Sequence, residues 1–489
     1  MKMTLTMKKI FLYTSTLFLV ILSSCSDLLD VKPRQSIDAA TALTTEEALD
    51  ATLVGAYDAL QSTNIYGRDL IAMPEALADN GRATNKSGRL IPEYQNQPNS
   101  HMINTWATAY FAINQLNLVL DASPSVKLSD AKRLSVEGQA SFLRGLLYFE
   151  LMKIHAYMPQ AIVAQQDRGG VPLILKGVLE LKQIEYASRP SIDDCYKQIV
   201  ADLNNAIIKL AGIAASRAPF YPTKGAAQAI LSRVYLYMGD WANAEKLSTD
   251  ALASGIGKFQ TTANYVSAWR VASHPESMFE INYQTNENIG VNTSLQTSYT
   301  TLVELGNTAK TGGFGDLVPS ANLLTLMESE KDSTGKIFLD VRRQLYEKGT
   351  AGRGTAEIEC TKFFGRSGAV NLDNIPVIRI SEMYLNRAEA LFNQGKEVDA
   401  LKDLNIIRTR AGLVAKPATL VGAALLTEIL NQRRLELAFE GHRFFDLKRL
   451  GRDIIKLPTN IPFTDFRILA PLPVREIQTN SNLKQNFGY

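Results

Sequence analysis

Residues Pro376–Gly412, PVIRISEMYLNRAEALFNQGKEVDALKDLNIIRTRAG, read as two antiparallel helices joined at Gly395. Small or apolar residues stand at Ala388, Leu391, Gly395, Ala400, Leu404 and Ile407, at spacings of 3, 4, 5, 4 and 3. Steps of three and four keep a stripe on one helical face, and the step of five spans the turn. The same six offsets recur far upstream at Ser232, Tyr235, Gly239, Ala244, Ser248 and Ala251. This is the tetratricopeptide spacing. Two copies carry weight that one would not, because Ala and Leu occur on any helix. One helical hairpin cannot bury its outer face, so the repeat predicts a mostly α fold built as a helical repeat array. Such arrays bind ligands or partners more often than they perform chemistry.

Working outward to the N-terminus, Lys2, Lys8 and Lys9 precede an apolar run from Ile10 to Leu22 that is interrupted only by Thr-Ser-Thr. The run is too short for a membrane span and reads as a secretory signal. Ser23 and Ser24 directly before Cys25 resemble the bacterial lipoprotein cleavage box. Residues 1–24 are therefore expected to be a lipoprotein signal peptide and Cys25 the acylated first residue of the mature chain. Each buried acyl methylene contributes about 0.8 kcal/mol, so several chains make a stable anchor. Residues 25–43, polar and carrying Pro33, form the expected tether.

The rest has the composition of a large globular body, with 46% hydrophobic and 21% charged residues. The net charge of +3 is matched by three lysines in residues 1–24, so the mature body is near neutral and has no basic footprint for nucleic acid. His101, His155, His274 and His442 show no metal-binding spacing, and no metal or cofactor is expected. Cys195 and Cys360 lack CxxC partners; a long-range disulfide is open to them, and two buried free thiols fit better in a domain of this size.

Thr44 and Glu47 form a capping box for a helix through about Leu60. Helices follow at Trp106–Leu120, Asp130–Tyr157 and Ser191–Leu210, with Trp106 and Trp241 on apolar stripes and so expected in the core. Between them, residues 64–100 lose periodicity and read as a long loop. A second change of character spans Gly255–Gly368, which holds 13 of the 31 glycines and short strand-like runs such as Met278–Tyr283. This is an irregular, partly β excursion from the helical frame, where binding loops are expected. Its GGFGD stretch lacks the lysine and preceding strand of a phosphate loop. The division expected is thus 44–254 as an N-terminal helical region with the loop 64–100, 255–375 as the loop and β region, and 376–489 as a C-terminal helical region.

Near the end, Arg433, Glu436, Glu440 and Arg443 recur at 3, 4 and 3 and would share one helical face. Cations at both ends of that row point to a structural ion network rather than a catalytic carboxylate pair. His442, between Gly441 and Arg443, reads as packed rather than as a general base.

Six stretches, LSSCSDLLDVKP near the start, Phe142–Pro159, Val377–Leu391, Leu404–Leu413, Arg433–Gly451 and the closing QNFGY, together resemble the SusD/RagB family of surface lipoproteins of Bacteroidetes-type bacteria. The resemblance spans nearly the whole mature chain. It implies a right-handed array of about four tetratricopeptide pairs with a loop-rich ligand region, anchored on the outer face of the outer membrane. It further implies a non-catalytic lid on a SusC-like TonB-dependent transporter, capturing oligosaccharides, or in some members peptides, for import. The QNFGY ending departs from the family's usual proline before the final Gly-Tyr. The family holds its ligand residues in no fixed motif, so none transfers by position.

Ligand residues therefore rest on chemistry. Sugars present apolar C–H faces and hydroxyl groups, which call for aromatic planes and for Asn, Asp or Arg side chains. In the two loop regions the candidates are Tyr66, Arg68, Asn80, Arg82, Tyr94, Tyr299 and Phe314, with Tyr265, Trp269 and Tyr283 as further aromatics. Tyr299 and Phe314, set among polar residues and glycines, are expected to be exposed. A surface glycosidase, which needs two carboxylates across a cleft, and a ligand-free assembly scaffold are the rival functions.

Overall fold

The computed structural model describes residues 43–489, of which 48% are helix and 7% strand. The expected signal segment, the acylated Cys25 and the tether as far as residue 42 lie outside the described residues. The main helices are α1 (Glu46–Gln61), α2 (Asp69–Leu77), α3 (Thr105–Ala122), α4 (Asp130–His155), α5 (Ile192–Lys209), α6 (Lys224–Met238) and α7 (Trp241–Ala253). After a long excursion come α8 (Ile380–Asn393), α9 (Glu397–Arg410), α10 (Gly422–Glu436) and α11 (Arg443–Arg449). Several begin where a hydroxyl accepts an otherwise unpaired N–H: Ser129 for α4, Ser191 for α5 and Thr223 for α6. The cap of α1 is Thr45, one residue beyond the expected Thr44, accepting from Ala48 N at 3.2 Å. No helix of the described residues is long and apolar enough to cross a membrane.

The two copies of the sequence repeat fold alike, atom for atom at the turn. In the first, Gly239 has φ +75° and its N–H donates to Leu236 O, while Asp240 N donates to Tyr235 O. In the second, Gly395 also has φ +75°, its N–H donates to Phe392 O, and Lys396 N donates to Leu391 O. A left-handed residue there reverses the chain and satisfies carbonyls the helix leaves open, and glycine meets that φ without Cβ strain.

Helices neighbour one another in chain order: α1 pairs with α3, α4 with α5, α6 with α7 and α8 with α9. α3 also packs on α4, α5 on α6 and α7 on α8, so the pairs form a continuous stack. The striped residues Ala388, Leu391, Ala400 and Leu404 close a core with Leu425 and Ile429 of α10. Leu236, Ala244 and Ala390 close the junction of α6, α7 and α8, with Trp241 half-buried against them, while Trp106 is buried in the main core. Across the same junction Arg233 forks onto Glu382, Nε–Oε1 at 2.7 Å and Nη2–Oε2 at 2.5 Å. The excursion after α7 therefore leaves the stack and returns without interrupting it.

That excursion and the segment after α1 supply three antiparallel two-stranded ribbons: β1 (Gly81–Ala83) with β3 (Leu317–Pro319), β2 (Ser277–Ile281) with β6 (Ile375–Arg379), and β4 (Tyr346–Lys348) with β5 (Ile358–Cys360). β6 runs directly into α8, which ties the excursion to the stack. Cys195 and Cys360 are buried free thiols, pushed up by burial to about 11 and about 12.

The expected ionic row along Arg433–Arg443 is corrected. α10 ends at Glu436, and Phe439 and Gly441 adopt φ +63° and +83°, so Glu440 and Arg443 leave the helical face. The chain turns because α2 passes close by: a Cβ on Gly441 would run into Leu70 O. Each charge instead finds a distant partner. Arg379 meets Glu276 at 2.8 Å, Glu436 at 3.1 Å and Glu440 at 2.7 Å. Arg410 meets Glu436 at 2.6 Å, Lys362 meets Glu440 at 2.7 Å, and Arg443 meets Asp79 at 2.6 Å. Burial alone would lift the Glu436 carboxyl, but Arg410, Arg379 and Arg342 outweigh it and hold it well below the usual range. The ions are structural as expected, and they join the excursion to the frame. His442 is half-buried at the start of α11.

Candidate functional site

Residues 64–100 are not the irregular loop the sequence suggested. They fold as a π-type turn (Thr63–Gly67), α2, β1 and a short helix at Ile91–Tyr94. Periodicity was hidden because each piece is shorter than the window needed to reveal it. The segment then meets the excursion. Beyond the β1–β3 ladder, Thr84 donates from N to Asp316 O (2.9 Å) and from Oγ1 to Gly315 O (2.7 Å). Ser87 Oγ donates to Asp316 Oδ1 at 2.5 Å, and Lys86 pairs with the buried Glu359 at 2.9 Å. Glu359 also accepts from the Thr300 and Thr301 hydroxyls and from Thr301 N, so one buried carboxylate fixes three strands of chain.

A groove of about 290 Å³ opens where the two segments join, lined by Arg68, Met73, Arg89, Leu90, Glu93 and Ser298. Beside it, Phe314 carries two guanidinium groups: Arg89 at 4.2 Å and Arg353 at 4.5 Å from the ring centroid. The glycines around Phe314 explain the GGFGD stretch. A Cβ on Gly313 would collide with Thr300 O, and this closeness lets Phe314 N and Gly315 N donate to Thr297 O at 2.9 and 3.0 Å. Arg353 Nε donates to Gly313 O at 2.8 Å, which holds its plane on the ring. Arg89 Nη2 donates to Asn292 Oδ1 at 3.3 Å, whereas Nη1 has no acceptor in hydrogen-bond reach and lies 4.0 Å from Asp316 Oδ2.

Three carboxyls near the groove are lifted above their ordinary values by burial. For Glu93, Asp69 adds to the rise and Arg68 opposes it; for Asp69 and Asp316 the neighbouring Arg68 and Arg89 oppose it. Asp69 is tied to Arg68 at 2.8 Å and Asp316 to Ser87, so Glu93 is the uncommitted carboxyl of the groove lining. The groove lining offers guanidinium donors and one acceptor, and lacks a second carboxylate opposed across it.

The structure brings Arg68 into the groove and Phe314 beside it, half-buried rather than fully exposed. Arg82 lies nearby on β1, paired with Glu357 at 3.0 Å, and the half-buried Tyr94 ring lies 5.1 Å from Lys456 Nζ. Tyr66, Asn80 and Tyr299 point into the protein. Tyr66 is 3% exposed and donates to Glu150 Oε1 at 3.1 Å. Asn80 donates to Glu75 and accepts from Arg434 Nε at 2.7 Å. Tyr299, expected at the surface, is fully buried with its ring 4.9 Å from Phe439. It sits in the short helix Leu295–Tyr299, whose inner face the polar neighbours concealed. Tyr265, Trp269 and Tyr283 are likewise core residues. Sequence reasoning missed Arg89, Glu93, Ser298 and Arg353; the glycines flanking Phe314 signal only its close approach to Thr297 and Thr300, not which arginines stack on the ring.

A continuous helical stack bearing a groove between two inserted segments defines a ligand-binding scaffold, and comparison with known proteins identifies its kind. Residues 359–489 match the model of the SusD family, and residues 27–236 match a SusD-like model described as starch-binding associating with outer membrane. The chain belongs to the SusD/RagB family. It is 25% identical to SusD-like protein P38 of Formosa agariphila over 96% of each chain. It is 35% identical to the starch-binding protein SusD of Bacteroides thetaiotaomicron over 24% of this chain and 22% of that protein. A solved SusD superfamily structure from the same Bacteroides species superposes with a TM-score of 0.78 at 27% identity, covering 90% of this chain and 99% of that one.

Proposed function

We propose that the protein binds nutrient oligosaccharides at the cell surface, in the groove between its two inserted segments, and delivers them to a SusC-like TonB-dependent transporter for import. The observation that carries this is the Arg89–Phe314–Arg353 stack beside Arg68 and Glu93. The stacked ring holds the guanidinium groups in place, and the Arg68 and Arg89 side chains and the Glu93 carboxyl of the groove lining suit sugar hydroxyls. Family membership supports a saccharide ligand and the outer membrane as the site of action. Acylation at Cys25, behind the signal segment 1–24, supplies the anchor facing the cell exterior, with 25–43 as the tether. The helix pairs act as a tetratricopeptide-type array, divided by the excursion 255–375 into regions 44–254 and 376–489, and leave a broad face for the transporter. No hydrolysis is assigned, since glycoside cleavage needs two carboxyls in register and the groove lining offers one.

The ligand residues proposed are Arg68, Arg89, Glu93 and Phe314, with Arg82, Tyr94 and Arg353 at the margin. The guanidinium groups also suit a peptide carboxylate, so the panel that tests the reading contains both classes. Titration calorimetry with malto-, xylo- and galacto-oligosaccharides and with short acidic peptides should find a saccharide ligand. Its affinity should fall at least tenfold, about 1.4 kcal/mol, in Arg89→Ala/Phe314→Ala with melting little changed. Unchanged affinity removes this groove, and peptide binding without saccharide binding replaces the ligand class.

A further inference from the structure

A second cleft, of about 230 Å³, lies between the C-terminal half of α1, the turn before α6 and the chain just after β2. Tyr57, Phe220 and Tyr221 give it an aromatic wall; the two tyrosine rings are 5.0 Å apart at 53°, and Arg217 stacks on Tyr221 at 3.3 Å. The Tyr57 hydroxyl is fixed by Gln139 Oε1 at 2.8 Å, which holds that ring in place before any ligand arrives. Three carboxylates line the cleft, but two are already engaged. Glu280 accepts from Ser277, His274 N and Asn374, and Glu287 accepts from Gln61 Nε2 at 3.1 Å and Gln284 N at 2.5 Å. Asp58 is exposed and free to accept. Asn282 uses Oδ1 for Arg366 at 3.0 Å and keeps its Nδ2 donors unengaged.

We infer that this cleft is a second saccharide site, taking a single neutral sugar ring. The aromatic wall matches a pyranose face, with Asp58 as acceptor and Asn282 as donor for its hydroxyls. Asp58, Glu280 and Glu287 give the cleft a negative charge that the nearby Arg217 offsets only in part, so an acidic sugar would be disfavoured against a neutral one. A volume of about 230 Å³ between three walls has room for about one ring. The two sites are close along the chain: Gln61 lines this cleft and Arg68 the groove, with the Thr63–Gly67 turn between them.

The inference rests on the saccharide reading above, and the two are separable. Saturation-transfer NMR on the full chain, with maltose, cellobiose and galactobiose as probes, should show binding that persists more weakly in Arg89→Ala/Phe314→Ala. Adding Tyr221→Ala, or separately Asp58→Asn, should then reduce it at least tenfold. Complete loss in Arg89→Ala/Phe314→Ala alone overturns the second cleft and keeps the first groove. Binding untouched by that pair but lost with Tyr221→Ala and with Asp58→Asn overturns the first groove and keeps the cleft. No binding of any probe by the native protein overturns both.

Discussion

The hairpin α8–α9 and the segment carrying Phe314 are built on opposite principles. In the hairpin, side chains at fixed spacing, Ala388, Leu391, Ala400 and Leu404, meet a third helix, and the backbone satisfies itself within each helix. In the excursion, short pieces of chain are held by buried charge and by hydrogen bonds to backbone, as Glu359 does for Lys86, Thr300 and Thr301. The first design is periodic and tolerant of what surrounds it; the second depends on individual partners far apart in sequence. The comparison teaches that the frame can stay fixed while the groove is rewritten residue by residue.

The largest effect should come from the joint between the two. Arg379→Ala strips the shared cation from Glu276, Glu436 and Glu440, all buried, and should cost about 3–5 kcal/mol in denaturant unfolding. A loss under about 1 kcal/mol would show that the excursion does not lean on this network. Within the frame, Leu404→Ala should cost about 2–5 kcal/mol through an unfilled cavity, with ligand affinity in the surviving folded protein unaltered. A matching loss of affinity would mean that frame and groove are not independent.

The smallest effect is one of pH. Asp373, in a recess beside Tyr283 and Asn371, has Oδ2 without a partner, and burial pushes its carboxyl from the ordinary 3.8 up to about 7. A carboxyl raised in the fold stabilises the fold only while protonated. The contribution is complete below about pH 4 and is lost as pH rises through 7. Asp373→Asn mimics the protonated form and keeps an acceptor for Gly365 N, so it should raise stability by about 1–2 kcal/mol at pH 8 and leave it unchanged at pH 4. Equal melting of both proteins at pH 8 would contradict the shift.

The same contrast explains what the sequence disclosed. Gly239 and Gly395 stand at matching offsets and make matching turns, so the hairpins are legible from residue spacing alone. Tyr299 and Tyr66 could not be placed, because their burial is imposed by Phe439 and Glu150, which are distant in sequence. The ionic row around Glu436 was legible as charge pattern but not as pairing, since a left-handed turn at Phe439–Gly441 redirects half of it. Arg68 and Phe314 were found by residue type; Arg89 and Arg353 were not, for nothing local marks which arginine will stack on a given ring.

Hydrogen–deuterium exchange of the native protein with and without a saturating oligosaccharide addresses the central claim most directly. Ligand should slow exchange at residues 87–93, 297–300 and 312–316, with helices α8 and α9 unchanged. Slowing confined to α8 and α9, with those three segments unaltered, would contradict it.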